Sequence, residues 1–253
     1  MDFDKFVHIL ATQSLWLTPL VDLDDRREGN WCDYTLFSMH LHDIYDHTRN
    51  QTSVSCWSML KQESVYMWDL YTTPGKGIAI STTISGLESC CPVEKSTPGQ
   101  DQFRLKDVRY EDRPVFIEIE PGESFDPLDV AGYKSADFKH ESELRFIYSL
   151  DIENKLESAD KPIDELPPPL GVQMPVDLEI LIDKVHISPR RAPWLMDCAK
   201  AVLTAFGLED ISVVPSSLST HFFLEPSYRR RKISMGAAEP QQYREQSPGP
   251  GTG

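Results

Sequence analysis

Gly77-Ile-Ala-Ile-Ser-Thr-Thr83 is a short β-branched run, and it reads as a strand. Helical segments stand on both sides of it. Glu63 to Tyr71 places Val65, Met67, Trp68 and Tyr71 at helical spacing, and Thr72-Thr-Pro-Gly75 breaks that helix. A short helix is expected around Ser85. Upstream, Val54-Ser-Cys-Trp-Ser58 reads as another strand. Short strands and helices therefore intermix without regular strand–helix–strand alternation, which predicts an α+β domain rather than a doubly wound sheet.

Working outward, Phe3, Phe6, Val7 and Leu10 predict an amphipathic helix over 2–12, with Asp2 placed to cap it. Ser14 to Thr18 is an apolar strand stopped by Pro19. Trp31, Tyr34, Phe37, Leu41 and Ile44 predict a helix over 30–47. Phe103–Tyr110 and Val115–Ile119 read as paired strands, with loop from Glu120 to Val130. Glu141 to Leu150 alternates weakly around Leu144, Phe146, Ile147 and Tyr148 and is expected to be a strand. Five prolines between Asp160 and Pro175 predict an extended surface connection. Leu178–Ile187 reads as one hydrophobic strand, Ala192–Phe206 as a helix stopped by Gly207, and Ile211–Val214 as the last strand. The expected division is an α+β domain over 1–224 and a disordered Pro/Gly-rich tail over 225–253.

The 253 residues carry a net charge of −15, which disfavours phosphate backbones and anionic lipid and favours small molecules, cationic partners or other proteins. The tail, with its basic Arg229–Lys232 cluster, is a candidate contact for a protein partner or a nuclear-import patch, against the plainer reading of a solvated tail. Cys32, Cys56, Cys90, Cys91 and Cys198 are odd in number and irregular in spacing, so reduced thiols and a cytoplasmic location are expected. No apolar run is long enough to span a bilayer, and the start lacks the pattern of a signal peptide.

Three constellations carry chemistry. His40, His42, Asp43 and His47 are the densest set of metal-ligand types, but His40 and His42 diverge on a helix, so a polar face is the better reading and no metal ligand is assigned. In Lys139-His-Glu-Ser-Glu-Leu-Arg145, strand alternation would turn Glu141, Glu143 and Arg145 the same way. That describes either a charged surface or a site in which one carboxylate stabilises developing positive charge while the other positions a nucleophile. Trp57-Ser58, with Tyr66, Trp68 and Tyr71 on the next helix, is either core or a platform for a ligand ring.

These stretches, in order, resemble family 2971 of the domains of unknown function. The likeness runs through Phe3–Leu10, Ser14–Leu17 and Asp25-Arg-Arg-Glu28-Gly, then Cys56-Trp-Ser58, Met67-Trp-x-x-Tyr71 with Gly77-Ile-Ala-Ile, and Lys139–Arg145, covering about residues 3–150. The resemblance implies a layout similar to ADP-ribosyltransferases, in which a carboxylate stabilises an oxocarbenium-like state as the glycosidic bond of NAD breaks. On that comparison Glu143 would be the charge-stabilising group and Glu141 would orient substrate. Tyr71 or Trp57 would stack on the base, and Ser58, Trp68 and Arg145 would complete the cofactor site. The family's upstream strand with His-Tyr-Thr or Arg-Tyr has no counterpart before Phe3, which implies truncation or loss of that strand. The expectation is therefore a non-catalytic or degenerate member acting as a binding or accessory module. The alternatives are an NAD-dependent ADP-ribosyltransferase-like enzyme with a Tyr/Glu site and a metal-assisted hydrolase.

Overall fold

A computed structural model describes residues 1–23, 25, 28, 50–90, 102–112, 127–149 and 171–219. The expected helix over 30–47, the strand at 115–119 and the tail from 225 lie outside these residues.

The chain opens with helix α1 (Phe3–Thr12), which buries Phe6, Ile9 and Leu10, and turns through Gln13 in the left-handed region into β1 (Ser14–Pro19). Asp2 sits at the N-cap of α1, but its carboxylate accepts instead from Thr73, at 2.6 Å from both the backbone N–H and the hydroxyl. β2 (Thr52–Ser58) is followed by α2 (Val65–Tyr71), capped by the Ser64 hydroxyl. β3 (Ile78–Ser81) leads into α3 (Ile84–Cys90). Beyond them lie β4 (Gln102–Asp107), β5 (Arg109–Glu111), β6 (Tyr133–Ser135) and β7 (Glu143–Ser149). The chain continues through β8 (Val172–Pro175), the single turn α4 (Leu178–Leu181), β9 (Lys184–Ile187), α5 (Leu195–Ala205) and β10 (Ser212–Pro215).

These strands form a five-stranded antiparallel sheet in the order β4-β7-β2-β1-β8, a three-stranded sheet in the order β10-β9-β3, and a parallel pair, β5 with β6. The mixed α+β architecture is the one expected.

β7 explains its own weak alternation. Leu144, Phe146 and Tyr148 enter the main core with α1, α5 and the three-stranded sheet. Ile147, on the opposite face, packs with Leu20, Val54, Leu128 and Ala131 in a second apolar cluster. A strand buried on both faces has no solvent side to mark with polar residues, so periodicity fades.

Four expectations need correction. Leu178–Ile187 is not one strand: the Asp177 carboxylate accepts from the N–H groups of Glu179 and Ile180 and starts a helical turn, leaving only Lys184–Ile187 extended. The proline-rich connection ends in strand β8, paired with β1 from Ser14↔Pro175 to Leu17↔Val172; Pro175 is tolerated because, among the described residues, β8 is a sheet edge. The segment 103–110 is not one strand of a hairpin: Gln102–Asp107 pairs with β7, and Arg109–Glu111 pairs with β6. The end of the expected loop, Pro127–Gly132, is a 3-10 turn.

α5 ends as its glycine predicts. Gly207 has φ +75, its N–H donates to Thr204 O, and Leu208 N–H reaches Leu203 O, a Schellman closure. No described helix is long and apolar enough to cross a membrane. Cys56, Cys90 and Cys198 are free thiols.

Candidate functional site

The second face of the large sheet changes character toward the C-terminal end of β2 and the start of β7. In register, Val54 lies opposite Ile147, Cys56 opposite Arg145, and Ser58 opposite Glu143. The apolar cluster thus gives way to a charged one on the same face. Arg145 is 0% exposed, and Lys134, on β6, is 6% exposed.

Glu141 reaches this cluster by a different route from the expected one. It is the last residue of a 3-10 turn over Ala136–Glu141, and Ser142 then takes a left-handed conformation before β7 begins at Glu143. Alternation along a strand relates only Glu143 and Arg145; the left-handed residue brings Glu141 beside them. The Ser58 hydroxyl donates to the Glu141 carbonyl at 2.8 Å, and Met59 N–H donates to Ser142 O at 2.7 Å, which fixes this turn against β2.

The contacts are dense. Lys134 Nζ lies 2.6 Å from Glu141 Oε2, 2.6 Å from Glu143 Oε1 and 3.1 Å from Glu28 Oε1. Arg145 donates from Nε to Glu143 Oε2 at 2.7 Å, from Nη1 to Ala131 O at 2.9 Å, and from Nη2 to Glu28 Oε2. The Tyr71 hydroxyl donates to Glu141 Oε1 at 3.1 Å, and the Tyr110 hydroxyl accepts from Glu143 N–H at 2.8 Å. Lys134 also stands 4.7 Å above the Phe138 ring. The expected choice between a charged surface and a site is settled in one respect: these carboxylates are buried.

Three carboxylates face two cations, so the fully ionised cluster would carry one net negative charge. The two glutamates of β7 and its preceding turn divide the consequence. Burial raises the Glu141 carboxyl above the usual range, and its contact with Glu143 adds to this against the pull of Lys134. Burial also opposes ionisation of Glu143, but the Glu141 hydrogen bond and the charges of Arg145 and Lys134 outweigh it and hold Glu143 low. One carboxyl is poised to keep a proton while its neighbour stays ionised. Burial and the Glu141 charge push the Tyr71 hydroxyl up, so the phenol remains a donor.

Of the sequence-derived candidates, Tyr71, Glu141, Glu143, Arg145 and Ser58 converge here. Trp57 does not: alternation turns it, with Leu144, to the opposite face of the sheet, where it packs against the main core. Trp68 is buried and donates from Nε1 to Glu63 at 3.0 Å, so it belongs to a different polar group. Neither indole can stack on a ring bound beside Glu143. Glu28 and Lys134 were not assigned a role from sequence. Glu28 stood within the quoted Asp25–Gly29 stretch; Lys134 had no spacing signal at all. The His40–His47 set lies outside the described residues, and among the described residues no group of three or more His, Cys, Asp or Glu is arranged to hold a metal ion.

Tyr66 packs edge-on against His140 at 4.6 Å, Met59 neighbours Ser142, and Tyr66, Leu70, Tyr71 and Met59 are all largely exposed. Tyr71, itself half-exposed, carries the hydroxyl that donates to the buried Glu141 Oε1 and so links the cluster to the surface.

No protein-family model, curated protein or solved structure matches the chain.

Proposed function

We propose that this chain is a binding module, non-catalytic at the Lys134 cluster, that takes a ligand carrying a positive charge on an aromatic or aliphatic body. The observation that supports it is the saturation of Glu143: Lys134 occupies its Oε1 and Arg145 its Oε2. A carboxylate that stabilises an oxocarbenium-like state needs an oxygen aimed at the sugar and a charge not already neutralised. Glu143 has neither. The exposed Tyr71 beside the cluster, with Tyr66 on the same helix and Met59 after β2, offers the kind of surface on which a cationic ligand gains from ring faces. The net charge of −15 draws such ligands toward the chain.

Calorimetric titration of the full chain with nicotinamide nucleotide and with short Arg/Phe peptides tests this. Binding is expected without ligand turnover, and Tyr71→Ala is expected to weaken it by about tenfold, a cation–π contribution. The absence of heat with either probe at millimolar concentration removes the reading.

A second reading rests on the opposed proton affinities of Glu141 and Glu143, the pattern of an acid–base pair. With the resemblance described above, it makes the chain an NAD-dependent ADP-ribosyltransferase-like enzyme in which Glu141, rather than Glu143, faces the sugar. Consumption of NAD by the native chain, lost in Glu141→Ala, would favour it over the binding module. The proposed location is cytoplasmic, with nuclear entry through Arg229–Lys232 as a variant of it.

A further inference from the structure

A second polar group lies on the three-stranded sheet, linked to α2 through Trp68 rather than Tyr71. Val185 and Ile187 of β9 are fully buried, so alternation sends His186 to the other face. There its Nε2 is 3.2 Å from the hydroxyl of Ser81, at the end of the neighbouring strand β3. Its Nδ1 is 3.9 Å from Oε1 of Glu63, which precedes α2.

The Glu63 carboxylate is held in place from three directions. Ser217 N–H donates to Oε1 at 2.8 Å, while Trp68 Nε1 at 3.0 Å and the Ser216 hydroxyl donate to Oε2. Burial opposes its ionisation, but these hydrogen bonds outweigh burial and lower its proton affinity, so it stays an anion. A hydroxyl that also donates to Lys184 O at 3.4 Å, an imidazole with one nitrogen near each neighbour, and a fixed carboxylate thus adjoin in turn, drawn from β3, β9 and the segment before α2. Serine, histidine and glutamate in this order are the components of an activated nucleophile. A gap of 3.9 Å between imidazole and carboxylate is longer than a hydrogen bond, as is frequent in unliganded sites.

We infer that Ser81 is a nucleophile toward activated acyl groups, with His186 as its base and Glu63 as the positioning carboxylate. His186 is 24% exposed and the group opens to solvent, which suits esters or thioesters with good leaving groups rather than a deeply enclosed substrate. In the first half-reaction Ser81 Oγ bonds to the acyl carbon as its proton passes to His186 Nε2. The bond to the leaving alcohol or thiol breaks, and that group departs with the proton from His186. In the second, a water oxygen attacks the acyl carbon, its proton passes to His186, and Ser81 Oγ leaves with that proton, releasing the carboxylic acid. The inference is independent of the Lys134 cluster, and either reading survives failure of the other.

The test is labelling of the full chain with an aryl fluorophosphonate, read by intact mass and peptide mapping. A single phosphonyl adduct on Ser81 is expected, absent from Ser81→Ala. His186→Ala should slow labelling by about 100-fold, the usual contribution of a general base, and added imidazole should restore part of it. Glu63→Gln should slow labelling of a chain whose circular dichroism is native. Native chain that gains no adduct at Ser81, or Ser81→Ala labelled as fast as native, overturns the inference. So does a His186→Ala rate equal to native, since the histidine would then be only a polar tie between strands.

Discussion

The Tyr71 hydroxyl lies 3.1 Å from Glu141 Oε1 although the two residues are 70 positions apart. Burial and the contact with Glu143 raise Glu141 against the pull of Lys134, while Arg145 and Lys134 hold Glu143 low, so Glu141 is the more readily protonated of this adjacent pair. The two adjacent carboxyls should therefore answer differently to the same substitution.

Glu143→Gln removes the anion shared by Lys134 and Arg145 and leaves buried positive charge short of a partner. It is expected to cost about 3–5 kcal/mol. Glu141→Gln imitates the protonated form, since its amide can still meet both Tyr71 and Lys134, and should cost less than about 1 kcal/mol. Urea denaturation of both variants checks the contrast, and equal losses would contradict the assigned division of charge.

Acid titration should show both groups with opposite signs. Glu143 is held low, at about 2, so its stabilising contribution is present above its unfolded value and is lost as the pH falls through the folded one. That window runs from about pH 4.3 downward. Glu141 is raised, so its contribution is complete below the unfolded value and is lost as the pH rises through the folded one. Thermal midpoints of native chain should rise modestly on mild acidification before falling below pH 4, and Glu141→Gln should abolish the rise while keeping the fall.

Lys134→Met leaves three carboxylates facing one guanidinium, and a loss of about 3–5 kcal/mol is expected. Adding Glu143→Gln should recover part of that loss, because the two sites share an ion pair. Strict additivity in chemical denaturation would mean that the contact at 2.6 Å carries no coupling.

Two glycines should separate backbone strain from crowding. Gly207 has φ +75 with nothing near a would-be Cβ, so Gly207→Ala should cost about 1–2 kcal/mol, the left-handed penalty alone. Gly171 has φ +116, and a Cβ there would meet the Trp16 ring and stand 2.9 Å from Leu17 O. Gly171→Ala should cost more, by about 1–3 kcal/mol of overpacking, and should loosen β8 from β1. Hydrogen exchange of the Val172–Pro175 strand reads the second effect directly.

Much of the element order was legible because local signals agreed with tertiary demand. Phe3–Thr12, Ser14–Pro19, Thr52–Ser58 and Ile78–Ser81 match their patterns closely. The turn at Leu178–Leu181 was missed because an apolar run hides a one-turn helix unless its Asp177 cap is weighed. The site was half legible. Glu143 and Arg145 follow from alternation, whereas Glu141 joins them through the left-handed Ser142, a conformation that serine does not advertise. Trp57 and Ser58 were assigned to one site, yet neighbours in a strand face opposite ways, and only Ser58 lies on the side of Glu143. Lys134 could not have been found, because only the parallel pairing of β6 with β5 and the turn after β6 deliver it to its three carboxylates.

The double burial of β7 has a consequence for how the protein comes apart. Phe146 and Ile147 are neighbours in the chain but anchor separate apolar clusters, so neither cluster can melt while the other holds that strand. Their amide protons should exchange with solvent through one shared opening event, at the slowest rate in the molecule, and damage to either cluster should accelerate both alike.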